Sequence, residues 1–247
     1  MEKLPHASAD AGFSNEPVIG ASGIIAPPPS YFPRLREICD RHGILLIADE
    51  VITGFGRAGK WFAPRHWGIE PDFRSFAKGI TSFYLPLGGV MVSKAIHQPI
   101  QDAPMDEKFM HAAPYSGRPV CCAVGLANND TREHEGLVEQ AEIMGDRVPR
   151  RSEHAAVSAR GGGGARHRHA RRDRTDRGQG QQKTALGLGA KVVAEAGKRG
   201  LIMRRRGGAD GPPASGDSLC LAPPLMTPEV TLKRIIQIVG DPIAAVA

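Results

Sequence analysis

Lys78 lies in a tract, Phe76 to Gly89, reading FAKGITSFYLPLGG, that follows a strand-like run, Leu45 to Glu50, reading LLIADE. A lysine amine can form a Schiff base with an aldehyde cofactor, but only after losing the proton that an ordinary pKa of about 10 keeps on it. It therefore needs partial burial or a nearby positive charge. The neighbours Phe76, Ala77, Gly79 and Ile80 are apolar or small, which predicts a lysine held where water is scarce. Asp49 has the complementary chemistry: a fixed carboxylate against a pyridine nitrogen favours the protonated ring and raises its capacity to take electrons from a substrate carbanion. Glu50 would face the opposite side of the strand, because successive side chains alternate. An acid closing one buried strand and a lysine closing another are what pyridoxal phosphate chemistry needs. On spacing alone the pair fits equally a polar strand end and a surface lysine before a turn glycine.

The elements that would position this pair are an alternation of helix and strand. Tyr31 to His42, YFPRLREICDRH, carries Phe32, Leu35, Ile38 and Cys39 at helical spacing, with Gly43 placed to end the helix and Pro27, Pro28 and Pro29 forming a stiff turn into it. Ile44 to Ala48 is an unbroken apolar run suited to a buried parallel strand, and Gly88 to Val92 is read as another. Pro119 to Asn129 begins a further helix, with Val120, Ala123, Val124 and Ala127 on its packed side. Helix followed by buried strand is the pattern of an α/β domain.

Several motifs in order carry a family resemblance. The run Ile47 to Gly59, IADEVITGFGRAG, is followed by Pro71-Asp72, Ala77-Lys78-Gly79, Thr81-Ser82, Pro86-Leu87-Gly88-Gly89 and Tyr115-Ser116-Gly117-Arg118-Pro119. Together these resemble a class III aminotransferase, the omega-transaminase group. The likeness runs from about residue 16 to 138 and resumes at 200 to 227. It implies a partial fold type I large domain, with a mixed, mostly parallel sheet and flanking helices, followed by a degraded C-terminal small domain. It also implies pyridoxal 5′-phosphate as cofactor, Asp49 against the pyridine nitrogen, Val51 on one ring face and Lys78 as the covalent anchor and general base. The implied reaction moves an amino group from an amine or amino acid to a 2-oxo acid, and the implied assembly is a homodimer. A pyridoxal phosphate aminomutase shares the Asp, the Lys and the fold, and is the alternative enzyme chemistry.

Gly200-Leu201-Ile202-Met203-Arg204 resembles the family segment whose arginine takes the substrate carboxylate, and a planar guanidinium can bind a carboxylate bidentately. Arg204 is equally one member of the run Arg204-Arg205-Arg206. The family's following Gly-Asp and Pro-Pro pairs recur only at Gly216-Asp217 and Pro223-Pro224, after an insertion reading RRGGADGPPAS. Other departures fall at the cofactor site. Pro114 stands where the family usually has a threonine that reaches the phosphate, and it has neither hydroxyl nor N–H to offer. Arg118 and Phe83 stand where histidine and glycine are common. Arg57 is read as a structural arginine satisfying loop carbonyls.

The chain has 247 residues and a net charge of +6. That length builds one large or two modest domains, yet it is short for a complete member of the family, whose phosphate cradle lies upstream of Glu16. The expected organisation is an N-terminal tail (1–15), a partial cofactor-binding large domain (16–138), a disrupted arginine- and glycine-rich segment (139–182) and a partial small domain (183–247). From Arg147 to Arg177 there are ten arginines, no lysine and three acids, so the basicity of the chain resides there. Large apolar residues are nearly absent from Pro149 to Gln182, which is read as resembling no element of an α/β domain. Arginine beside glycine, alanine and histidine is also what a shifted frame of GC-rich coding sequence can produce. A basic nucleic-acid-binding protein and a non-catalytic remnant are the competing classes. No aromatic residue in the stretch offers a base-stacking platform, so nucleic acid is not the expected partner. Cys39, Cys121, Cys122 and Cys220 lack ligand spacing and are read as free thiols, with no metal site. With no apolar run long enough for a signal peptide or membrane span, a cytoplasmic location is expected. Activity of the chain alone is expected to be weak or lost.

Overall fold

A computed structural model describes residues 12–20, 24–147, 157–159, 188–206 and 218–246. Its first sheet contains β1 (Gly12–Asn15), β2 (Leu45–Asp49), β3 (Phe73–Phe76) and β4 (Gly89–Val92) in that order. β1, β2 and β3 are parallel, and β4 runs antiparallel to β3. Helix α1 (Tyr31–His42) joins β1 to β2; α2 (Lys94–Asp102), α3 (Pro119–His134) and α4 (Leu137–Arg147) follow β4. The second sheet has the order β5-β7-β6, from β5 (Val157–Ala159), β6 (Arg204–Arg206) and β7 (Ser218–Leu221), with α5 (Leu188–Lys198) and α6 (Glu229–Val246) flanking it in sequence. The first sheet is the mixed, mostly parallel sheet with neighbouring helices expected of a fold type I large domain. No helix among the described residues is long and apolar enough to cross a membrane.

Helix α1 forms over the predicted residues because its apolar positions recur at helical spacing and Gly43 terminates it. Gly43 adopts φ +64, where a Cβ would be strained, and the N–H of Ile44 returns to the carbonyl of Cys39 at 2.9 Å. Phe32 and Cys39 are buried with Leu46 of β2 and Ile69, while Leu35, Ile44 and Trp67 pack on this cluster. Burying a side chain the size of Phe32 contributes about 2 to 3 kcal/mol. Ile38 departs from the expected stripe and is exposed. Asp72 ties the helix to the sheet: its Oδ2 accepts from Arg36 and from the N–H of Leu46, both at 2.8 Å. The Pro71-Asp72 motif is thus a bracket between α1 and β2.

Two expectations are corrected here. The run 88–92 is not a buried parallel strand: β4 is antiparallel, its side chains alternate between half-buried and exposed, and Val90 is open to solvent. Nor does α3 pack through Val120, Ala123 and Ala127, which are exposed; of the expected side only Val124 is half-buried. The helix's inward stripe is Cys121, Gly125, Asn128 and Arg132, four residues at helical spacing of which two are polar.

The second sheet has its own core of Val192, Leu219, Leu221 and Val239. The segment expected to resemble no element supplies β5, parallel to β7. The remainder of that arginine-rich stretch, the insertion after Arg206 and most of the 1–15 tail lie outside the described residues, as do the frame-shift and nucleic-acid readings attached to them. None of the four cysteines forms a disulfide; Cys39 and Cys121 are buried and Cys122 and Cys220 half-buried.

Candidate active site

Asp49 is the last residue of β2, opposite Ser75 of β3 in the parallel register. Both of its hydrogen bonds fall on one oxygen: Oδ1 accepts from the Ser75 hydroxyl at 3.2 Å and from the N–H of Val51 at 3.0 Å. No donor among the described residues bonds to Oδ2. The carboxylate is therefore oriented by one atom and open at the other, which suits an acid meant to receive a ring N–H.

Glu50, next in the chain, turns the other way and is wholly buried. Its Oε2 accepts from the Thr53 hydroxyl at 2.6 Å and the N–H of Ala63 at 3.2 Å. Arg74 lies 3.8 Å from Oε1, too far for a hydrogen bond, and its guanidinium carbon stands 4.3 Å over the Phe62 ring. Burial pushes the Glu50 carboxyl up to about 7 despite the opposing bonds from Thr53 and Ala63 and the charge of Arg74. Sequence reasoning placed Glu50 on the far side of the strand but gave it no part in holding the site. The one available signal was an acid immediately after a buried strand.

Lys78 opens a 3₁₀ turn, Lys78–Ile80, beyond the end of β3. Its φ is +37, and Ser82 and Phe83 also stand at positive φ, +49 and +68. Each such residue costs on the order of 1 kcal/mol in a chain free to relax. Lys78 is exposed, contrary to the expectation of a dry pocket. The apolar neighbours face inward instead: Ile80 is buried, and Phe76 meets the Phe55 ring at 5.7 Å between centroids. They build the underside of the turn and leave the amine uncovered. No described side chain pairs with the Lys78 amine.

Helix α3 grips this turn from outside. Asn128 Nδ2 donates to the carbonyls of Gly79 and Ile80 at 3.0 and 2.8 Å, and the Ser82 hydroxyl donates to Asn128 Oδ1 at 3.0 Å. Arg132 donates to the Gly79 carbonyl and, at 3.0 Å, to the Ser82 hydroxyl. The helix approaches closely because residue 125 is glycine; a Cβ there would come 3.0 Å from Leu87 Cδ2 and 3.4 Å from Ile80 Cγ1. Asn128 and Arg132 were not singled out from sequence. A glycine inside a helix, one turn before an asparagine and two before an arginine, was the signal that could have found them.

Asp49 and Lys78 thus lie at and just beyond the carboxyl ends of two neighbouring parallel strands, where open α/β sheets bind ligands. The free Oδ2 and the unpaired amine fit a pyridine ring bearing an aldehyde. Val51, half-buried, stands two residues after Asp49. Arg204 is not brought to this pair by any described contact; it is exposed on β6, opposite Cys220 of β7. Arg57 behaves as the structural arginine expected, donating to the Pro223 carbonyl at 2.7 Å, and burial lowers its pKa. Pro114 and Tyr115 are exposed, and Arg118 stands 6.0 Å from the Tyr115 ring centre.

The family model described as aminotransferase class-III matches residues 6–238. The chain is 35% identical over 232 residues to a putrescine–pyruvate aminotransferase of Pseudomonas aeruginosa, covering 92% of this chain and 48% of that protein. It is 42% identical over 142 residues to a beta-alanine–pyruvate aminotransferase of the same organism, covering 56% and 32%. The crystal structure of a transaminase from the marine bacterium Virgibacillus matches with a TM-score of 0.77 at 35% identity, over 96% of this chain and 53% of that one. The chain spans about half the length of such full-chain relatives.

Proposed function

Because this chain belongs to the aminotransferase class-III family, we propose that it carries the lysine and the acid of a pyridoxal phosphate site that transfers an amino group from an amine or amino acid to a 2-oxo acid. The observation that carries this reading is the placement of Asp49, with Oδ2 open, and Lys78, with its amine unpaired, at the carboxyl ends of adjacent parallel strands. When bound, the cofactor supplies an electron sink for the substrate carbon that loses its proton. Asp49 Oδ2 would accept the ring N–H, and Ser75 and the Val51 N–H hold the carboxylate in place for it. Val51 supports one ring face. Lys78 Nζ would be the covalent anchor and, as a free amine, the base that takes the proton from the substrate α-carbon. Arg204, exposed on β6, is assigned to the substrate carboxylate. Relatives named for putrescine, beta-alanine and pyruvate support an amine or amino acid donor and a 2-oxo acid acceptor.

A second copy of the chain is the proposed partner, supported by the exposed aromatic side chains Phe83, Tyr84 and Tyr115. The location proposed is the cytoplasm. Pro114, which offers no hydroxyl or N–H to a phosphate, supports weak cofactor retention and weak turnover by the chain alone. The test is to mix the full chain with pyridoxal phosphate, reduce with borohydride and map the modified peptide by mass spectrometry. Modification should fall on Lys78 and drop to background in Lys78→Ala; an adduct formed at full yield in that variant rejects the reading. Alanine-to-pyruvate exchange, measured beside it, reports whether attachment is accompanied by turnover.

A further inference from the structure

We propose that Asn128 and Arg132 of α3 are positioning residues for Lys78, an inference that rests on the reading of Lys78 as the cofactor-bearing amine. The Lys78 turn is too short to hold itself. Its helical part has three residues, so no continuing helix donates to the Ile80 carbonyl, the Gly79 carbonyl has only the long bond from the Ser82 N–H at 3.3 Å from the backbone, and Lys78, Ser82 and Phe83 all stand at positive φ. A backbone in that state persists only where its surroundings over-determine it. Here the determination comes from one helix face. The Asn128 amide donates to both carbonyls and accepts from Ser82; Arg132 bonds the Gly79 carbonyl again and closes the ring of contacts at the Ser82 hydroxyl.

The chemistry of Arg132 points beyond ordinary packing. It is buried, and burial, with the charge of Arg57 adding to it, pushes its pKa down. Among the described residues its hydrogen bonds go to the Gly79 carbonyl, the Ser82 hydroxyl and the side-chain oxygen of Asn129, and none goes to a carboxylate. Its guanidinium carbon also stands 5.7 Å from the centre of the Phe55 ring, which packs against Phe76 at the end of β3. A buried charge without a counter-charge is a costly way to stabilise a fold. It is a direct way to fix a peptide plane, since a charged donor binds a carbonyl more strongly than a neutral one. The plane fixed lies one residue beyond Lys78, so the two side chains set the direction in which the amine leaves the turn.

Asn128→Asp tests this with little change of shape. The variant keeps an acceptor for Ser82 but replaces the donor facing two carbonyls with an oxygen. In the cofactor-free full chain, the reaction rate of Lys78 with an amine-selective acylating reagent, read by peptide mass spectrometry against Lys60 and Lys94, should change at least threefold. The yield of borohydride-trapped pyridoxal phosphate on Lys78 should fall at least tenfold, with circular dichroism unchanged. If Asn128→Asp does not fold, Ser82→Ala removes the hydroxyl that both residues share and should move the same two readouts in the same direction. A folded variant, of either kind, whose Lys78 reacts and traps as in the wild type overturns the proposal. If the wild type traps nothing on Lys78 while its acylation rate still responds to Asn128→Asp, the positioning stands and the assignment of the cofactor-bearing amine falls.

Discussion

Asp49 and Lys78 reach the same end of the first sheet by different means. Asp49 closes a strand paired on both sides, and its orientation comes from donors on the adjacent strand and two residues onward. Lys78 sits in a left-handed turn held by side chains 48 to 53 residues later in the chain. A periodic ladder places a side chain through bonds the backbone makes in any case. A strained turn needs bonds from elsewhere, and its geometry lasts only as long as the contact with that other element. The acid should therefore tolerate local change well, and the lysine should be sensitive to substitutions that lift α3.

The largest effect expected is on the strand-end side, through Glu50. Its carboxyl titrates near 4.5 in the ordinary state and at about 7 when buried in the folded chain. Between those values the folded chain keeps a proton that the unfolded chain has released, so stability is full below about pH 4.5 and falls as pH rises toward 7, by up to about 3 kcal/mol. Urea unfolding at pH 5 and pH 7.5 should show this loss in the wild type and a smaller loss in Glu50→Gln. Equal losses in both would remove Glu50 as the source.

A second substitution addresses the turn. Gly125→Leu forces a side chain into space already held by Leu87 and Ile80, and such overpacking costs about 1 to 3 kcal/mol. If the comparison is right, this variant, while still folded, should lose trapped cofactor on Lys78 out of proportion to its loss of stability. Trapping reduced only in step with the unfolded fraction would blur the distinction between the two supports.

The smallest effect is a gain. Phe83 is exposed and stands at φ +68, a conformation that glycine adopts freely, and glycine is what the family resemblance places there. Phe83→Gly should raise the unfolding free energy by about 1 kcal/mol. A lower midpoint would mean that the exposed ring has a contact worth more than the backbone strain.

The same contrast explains what could be read from the sequence. Helix α1 and strand β2 were legible because their apolar spacing and the closing Gly43 are local, and with them came the place of Asp49. The direction of β4 was not, since a four-residue apolar run carries no information about its partner. The inward stripe of α3 was missed because hydrophobicity points to Val120, Ala123 and Ala127, which are exposed, whereas the inward positions include half-buried Asn128 and buried Arg132, whose reason for facing inward is the turn they bond. The exposure of Lys78 was missed for a related reason: apolar neighbours indicate that something is buried, but not on which side of the chain.

Cys121 lies on the buried stripe of α3, one turn before Gly125, and is a free thiol. Sulfur in that place meets a bulky thiol reagent only during excursions in which its surroundings open, so its modification half-life is a kinetic record of how often that end of the helix departs. Half-buried Cys122, next to it, supplies an internal standard on the same helix. The chain thereby contains a clock for the motion that would release the lysine, readable without cofactor, substrate or turnover.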